Sequence, residues 1–413
     1  MKSVEQHVLD LLELVAPIDP VELGLIEAHG AVLAEPVTSP VSLPHFDNSS
    51  MDGYAVVAAD VAGASPENPV RLPVVADIPA GDTSATTIRP GQCARIMTGA
   101  PLPGGATAVV PVEWTDGGTE QVSLTRDVSD GGAVRRSGED IEAGAEVLRE
   151  GVRVGAAEMA VLASVGRRTV RVRPRPRVVV LSTGEELVEP GRPLGPGQIW
   201  ESNSFMLTAA ALDAGCTADR YGFIGDDPAT VLETLEGVLP QADIVLTTGG
   251  VSMGAYDAVK EVLSRQGTVR FEKIAMQPGM PQGFGTVGGT KTPILTLPGN
   301  PVSSFVSFHL FVRPALQRMR GLPAEPPPTV RARLTAPVAS SPKGKRSFLR
   351  AVLEHDHAAE GAGRAYTVTP VARQGSHQLS ALAGSNALAV VPEAVTELAE
   401  GSVVEVVKLP DAY

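Results

Sequence analysis

The sequence predicts a multidomain α/β plus β protein: a three-layer α/β domain followed by a β-rich one and preceded by another. Buried strands alternate with helices over residues 177–321, and short strands rich in Val, Gly, Thr and Pro fill residues 46–135. A second set of short strands fills residues 329–413. At 413 residues the chain is also too long for one ordinary hydrophobic core.

In chain order, Ser3 is placed to cap an amphipathic helix, with Gln6 positioned to complete a capping box. Val4, Val8, Leu11, Leu12 and Val15 share one face of that helix. Residues 46–135 read as a small β-rich domain from their alternating runs and frequent turns. A short helix is expected between Gly155 and Val165. Residues 167–177 carry six arginines among small and apolar residues, which reads as an exposed strand leading into a linker. Val178–Leu181 is a buried strand, and the helix Ser202–Ala214 that follows is stopped by Gly215. Asp227 and Pro228 form an N-cap and N1 pair for a helix ending near Leu239. Ile244–Thr247 is the next buried strand, with a helix after Asp257. Ile294–Leu297 is a further strand, and one helix from Val302 to Arg320 closes the unit. This alternation implies a mostly parallel sheet covered on both faces. Pro323, Pro326, Pro327 and Pro328 mark a linker. Beyond it, Thr329–Leu334, Phe348–Leu353, Tyr366–Val371, Leu388–Val391 and Val403–Lys408 are strands of a small barrel or sandwich.

Composition narrows the function. A formal net charge of −13 disfavours a polyanionic partner, and a 4% aromatic share argues against a base-stacking nucleic-acid surface. No apolar run reaches membrane-spanning length, so no membrane partner is expected. Cys93 and Cys216 show neither pairing nor metal-ligand spacing and read as buried thiols of a soluble cytoplasmic protein.

Three strands run directly into small-residue loops: Ser182-Thr183-Gly184-Glu185-Glu186, Thr247-Thr248-Gly249-Gly250-Val251-Ser252 and Pro298-Gly299-Asn300-Pro301-Val302-Ser303. In a parallel sheet such loops gather at the carboxyl edge, where open α/β folds bind ligands. Glycines admit close approach, while hydroxyls and free amides face the same space, a combination suited to phosphate or another tetrahedral oxyanion. Neither a P-loop nor a dinucleotide fingerprint is present. Glu185, Glu186, Asp226, Asp227 and Asp257 lie near the same edge. Carboxylates beside an oxyanion call for a hard cation between them, and Mg2+ held by Glu186 and Asp226 is the natural candidate. Asp227 is explained by capping alone.

Seven ordered blocks then resemble the MoeA/gephyrin E-domain family across nearly the whole chain. They are Pro44–Val56, Gly81-Asp82, Arg95–Ala100, Gly138–Ile141, Ser182–Leu187, Thr248–Gly254 and Leu297–Ser303. The resemblance implies an elongated N-terminal region (residues 1–45 and 136–176) interrupted by an inserted β-rich domain (46–135). A molybdopterin-binding α/β domain (177–321) and a C-terminal β-barrel (329–413) follow. It also implies a homodimeric transferase that inserts molybdate into adenylylated molybdopterin with release of AMP, using a divalent cation. The upstream molybdopterin adenylyltransferase is a candidate partner. Catalytic roles carry over to Asp52, Thr98, Asp140, Glu186, Asp257 and Lys273. Substrate binding carries over to Ser182, Thr183, Gly184, Gly249, Gly250, Ser252, Pro298, Gly299, Asn300, Pro301 and Ser303, with Lys345, Arg350 and Ser376 from the last domain.

One departure stands out. Many members of the family carry Lys-Pro-Gly-Lys-Pro where this chain has Gln277-Pro278-Gly279-Met280-Pro281. Two ammonium groups are thereby lost from the expected oxyanion pocket, with Lys273, Lys345, Arg346 and Arg350 as possible replacements. The rival readings are the single-domain adenylyltransferase, which the extra domains argue against, and a non-catalytic molybdopterin-binding or scaffolding homologue.

Overall fold

The computed structural model describes residues 1–224, 227–249, 258–265, 268–356 and 366–409. The chain forms two compact units. The first comprises residues 1–23, 28–34 and 171–413, and the second residues 24–27 and 35–170.

The first unit is built on a six-stranded sheet. Its order is Thr217–Ile224, Arg177–Thr183, Ile244–Thr248, Thr292–Leu297, Pro281–Val287, Val269–Lys273. The first four strands are parallel, and Pro281–Val287 runs antiparallel to both of its neighbours. Strand periodicity divides the core. Val178 and Val180 join Leu207, Val306 and Phe311 on one face, while Val179 and Leu181 join Val231, Leu235 and Leu263 on the other. Helices Val4–Leu14, Asn203–Asp213 and Pro301–Ser307 therefore cover one face, and Pro228–Val238 and Ala258–Arg265 the other. This is the three-layer α/β arrangement expected.

Two strands were not legible in advance, Val269–Lys273 and Pro281–Val287. The second carries Gly283 and Gly285, which erase its apolar alternation. Gly283 is required there, because a Cβ would lie 2.0 Å from Thr296 Oγ1 and 2.7 Å from the Phe271 ring.

The long helix expected from Val302 to Arg320 is divided. Pro301–Ser307 and Arg313–Met319 are α-helical, and Phe308–Val312 between them is π-helical. Pro314 supplies the reason. It has no N–H for the Leu310 carbonyl and its ring would crowd that carbonyl, so the helix widens by one residue ahead of it.

The N-terminal helix is capped as expected, Ser3 Oγ accepting from the Gln6 backbone N–H at 3.1 Å. The capping box is only half made, since the Gln6 side chain donates forward to Asp10 at 2.8 Å. The helix buries Val4, His7 and Leu11. Asp227 caps the helix from Pro228 by accepting from Thr230 N and Oγ1 at 2.9 and 2.7 Å.

After the proline linker, five strands close on themselves. Arg346–His355 pairs with Tyr366–Pro370, then follow Thr329–Leu334, Val403–Lys408 and Ala387–Val391, and the last returns to Arg346–His355. Of the two architectures left open by the strand pattern, this is the barrel.

The second unit contains a five-stranded sheet in the order Ala108–Pro111, Gly53–Val56, Cys93–Ile96, Val70–Ile78, Gln121–Leu124. Tyr54 and Val110 pack on one side of it, and Ala55 and Ile96 on the other. The arginine-rich stretch contains the strand Thr169–Arg173, with Val170 and Val172 buried and Arg171 exposed. Both cysteines are buried free thiols, each pushed up to about 12 by burial. No helix among the described residues is long and apolar enough to cross a membrane.

His7 is the costly element of this core. Its ring stands edge-on to Phe284 and Phe311, with centroids 5.1 and 4.6 Å away, and its Nδ1 has no hydrogen-bond partner among the described residues. Burial pushes the imidazole down to about 3, with the neighbouring Lys2 and Arg270 charges adding to the effect and Asp10 opposing it. The folded state therefore favours neutral His7. That contribution is complete above the ordinary histidine pKa of 6.5 and is lost as pH falls toward 3. Between pH 7 and 4.5 the loss should be about 2–3 kcal/mol. Urea denaturation of wild type and His7→Leu at both pH values checks this: the variant should lose that much less. Equal losses would remove His7 from the account.

Candidate functional site

The carboxyl edge of the six-stranded sheet opens into a cavity of about 680 Å³. Ser182, Thr183, Gly184 and Glu186 contribute one wall, Gly249 a second, and Pro298, Gly299, Asn300 and Pro301 a third. The three loops singled out by sequence thus converge on one space. Ser303 is buried in the first turn of the following helix and does not line the cavity.

At Gly249 the loops meet closely enough to exclude a side chain. Gly249 has φ of 91°, and a Cβ there would sit 2.5 Å from the Thr183 carbonyl oxygen. Gly299 in turn approaches Gly249, a Cβ on it falling 3.4 Å from the Gly249 Cα. The backbone itself is the cavity surface at these points, which is what close approach of an oxyanion requires.

Asn203, at the start of the helix Asn203–Asp213, ties two loops together. Its amide nitrogen donates to Thr248 Oγ1 at 3.0 Å and to the Gly299 carbonyl at 2.6 Å. Thr248 is further held against Ser304 Oγ at 3.0 Å. The first loop is fixed by Glu201, only 2% exposed. This carboxylate accepts from Ser182 Oγ at 2.7 Å and from Ser204 N and Oγ at 2.7 and 2.6 Å. Arg220 stands 3.8 Å from it, pairs with Glu189 and lies over the Phe205 ring at 4.0 Å. A buried carboxylate so surrounded is satisfied. Two cavity residues hold buried polar atoms without partners, Thr183 Oγ1 and Asn203 Oδ1.

Neither Asn203 nor Glu201 was identified from sequence, and Trp200, Ile199, His377 and Leu379 also line the cavity. The last two come from the segment joining two strands of the C-terminal barrel. Arg350 explains how that segment is held. It is fully buried, and its guanidinium donates to the carbonyls of Gln378, Arg373 and Gly375 at 2.5, 2.7 and 3.1 Å. Arg350 thus lies beneath the segment that carries Ser376 and His377. The Ser376 carbonyl accepts from Val302 N at 3.1 Å, docking the segment on the helix after the third loop.

Glu186 is exposed on the cavity wall. Its carboxylate lies over Gly184, within 2.6 Å of where a Cβ would be. Lys273 is exposed at the end of its strand, opposite Pro281, which lines the cavity. Gln277 is exposed and Met280 half-buried. Arg346 is paired with Glu5 and Glu393 at 2.5 and 2.9 Å, whereas Lys345 is half-buried with no ion pair among the described residues. Asp226, Gly250, Ser252 and Asp257 lie outside the described residues.

Asp52, Thr98 and Asp140 belong to the second unit. Asp52 accepts from Thr98 N at 2.7 Å and Thr98 Oγ1 at 2.9 Å. These bonds hold its carboxyl below the usual range, the backbone N–H first. Asp140 is exposed, and its backbone N–H donates to the Leu43 carbonyl at 3.1 Å.

Such a fold and cavity define an α/β ligand-binding domain with a backbone cradle, embedded in a larger chain. Family models match the chain in order. They are the MoeA N-terminal region (domain I and II) over residues 2–166, a probable molybdopterin binding domain over 179–318, and the MoeA C-terminal region (domain IV) over 331–409. Molybdopterin molybdenumtransferase 2 of Mycobacterium tuberculosis is 48% identical over 412 residues, covering 98% of this chain and 99% of that protein. Molybdopterin molybdenumtransferase 1 of the same organism is 37% identical over 422 residues, covering 98% of each. A crystal structure of the molybdopterin biosynthesis MoeA protein from Pyrococcus horikoshii matches with a TM-score of 0.80 at 32% identity, covering 98% of both chains. The chain belongs to the MoeA family of molybdenum cofactor biosynthesis proteins.

Proposed function

We propose that the protein is a transferase that inserts molybdate into adenylylated molybdopterin and releases AMP. The observation that carries this reading is the backbone cradle of Gly184, Gly249 and Gly299 at the sheet edge, within a chain similar to molybdenumtransferases along its whole length. The reaction needs a phosphate site, a second anion site and positive charge near the phosphoanhydride, but no covalent nucleophile. The glycine backbone at the sheet edge supplies the first.

Mg2+ suits the residues present. Glu186 offers an exposed carboxylate with no hydrogen-bond partner among the described residues, next to the cradle. A magnesium ion characteristically takes one or two carboxylates and completes its shell with phosphate oxygens and water. When bound, it would neutralise charge on the phosphates. Glu186 would hold it, with Asp226 as the second ligand. The assay is anaerobic formation of active cofactor, with AMP measured in parallel. The wild type should release AMP in proportion to molybdenum inserted, and Glu186→Gln should lower the rate at limiting Mg2+ at least tenfold. Full Glu186→Gln activity at limiting Mg2+ would refute the metal assignment, and a wild type that releases no AMP would refute the function.

A homodimer is part of this reading. Asp52 and Thr98 touch each other in the second unit, while the cavity belongs to the first. A second copy would bring them to the reaction. Asp52→Ala and Glu186→Gln chains, unfolded and refolded together, should be more active at limiting Mg2+ than either alone, through mixed dimers with one intact site. No recovery with mixed dimers demonstrably formed would contradict sharing. Buried free thiols suit a reducing compartment, and we place the enzyme in the cytoplasm.

Of the four cations expected to replace the two missing lysines, Arg346 is ion-paired and Arg350 is buried against carbonyls. Lys273 and Lys345 are left for molybdate. A charge-assisted hydrogen bond contributes roughly 1.5–3 kcal/mol, so losing one weakens binding by about tenfold or more. Lys345→Ala should therefore raise the molybdate concentration for half-maximal cofactor formation about tenfold, with Gln277→Lys changing it little. A wild-type requirement in Lys345→Ala together with much tighter binding in Gln277→Lys would overturn this assignment.

A further inference from the structure

The cavity has one wall that the phosphate chemistry does not use. Between Glu186 and Glu201 the chain makes an excursion rich in proline and glycine, anchored by short parallel pairing of Leu187–Val188 with Ile199–Trp200. Backbone bonds from Ile199 N to Glu186 O and from Glu201 N to Val188 O, both 2.9 Å, fix its two ends. Trp200 is 54% exposed and yet lines the cavity. Its indole N–H is already taken by the Arg192 carbonyl at 2.9 Å. That bond pins the ring and leaves it to interact through its π-face. A tryptophan held this way, in a chain with only two, is a stacking surface for a flat ring.

We propose that Trp200 stacks on the pterin ring of the substrate, so that this wall of the cavity selects a flat heterocycle. The proposal rests on the molybdopterin reading of the cavity. The adenine of the adenylylated substrate has the same chemistry, and the test separates the two.

Anaerobic equilibrium dialysis measures the binding of metal-free molybdopterin, which has no adenine, and of AMP, which has no pterin. The proteins are wild type, Trp200→Ala and Trp200→Phe. Stacking on a protein aromatic contributes enough that Trp200→Ala should weaken molybdopterin binding roughly tenfold or more. Trp200→Phe should recover most of that loss, and AMP should bind all three proteins alike. Loss of AMP binding with molybdopterin binding unchanged would assign the wall to adenine and overturn the proposal. Unchanged binding of both ligands would overturn stacking while leaving the transferase reading intact. A wild type that binds neither would overturn the reading on which the proposal rests.

Discussion

Three strands end side by side, but parallel strands alone do not bring their loops into contact. The carboxamide of Asn203 does this for two of them, reaching Thr248 and the Gly299 carbonyl, residues 45 and 96 positions away in sequence. Where the second loop meets the first, a Cβ at Gly249 would sit 2.5 Å from the Thr183 carbonyl oxygen, so that position is a glycine.

The same economy governs the charges. Glu201 would repel an anionic substrate if it were free, but it accepts hydrogen bonds from Ser182 and Ser204 and faces Arg220. It is part of the scaffold of the first loop. Glu186, two residues beyond Gly184, is exposed and available to a cation. Two carboxylates near one cavity thus have different work, set by burial and partners. Arg350 shows the counterpart among cations. Its buried guanidinium organises three carbonyls, and through them the segment that brings His377 to the cavity.

How much of this could be read from the amino acids depends on distance along the chain. The cradle loops were legible because strand, glycine and hydroxyl are adjacent in sequence, and the Ser3 and Asp227 caps because their partners lie three residues on. Asn203, Glu201, Trp200 and His377 were not. Their roles arise where segments far apart in sequence pack together, and an Asn in a helix's first turn looks like an ordinary helix-start residue. The strand Pro281–Val287 was hidden by Gly283 and Gly285, and the π-helical turn by a proline whose effect falls on the residues before it. Direction was equally hidden: nothing in a basic stretch tells that Arg350 is buried and that Lys345 has no ion pair among the described residues. The family blocks supplied Asp52, Thr98 and Asp140, for which residue chemistry alone suggests little more than turns and strand ends.

The central claim is that the glycine cradle holds the terminal phosphates of the substrate. A crystal structure of the protein with adenylylated molybdopterin and Mg2+, obtained without molybdate, tests it most directly. The account predicts phosphate density against Gly184, Gly249 and Gly299, with the Asn203 amide still bridging Thr248 and Gly299. Substrate bound elsewhere, with this cavity filled only by solvent, would contradict it.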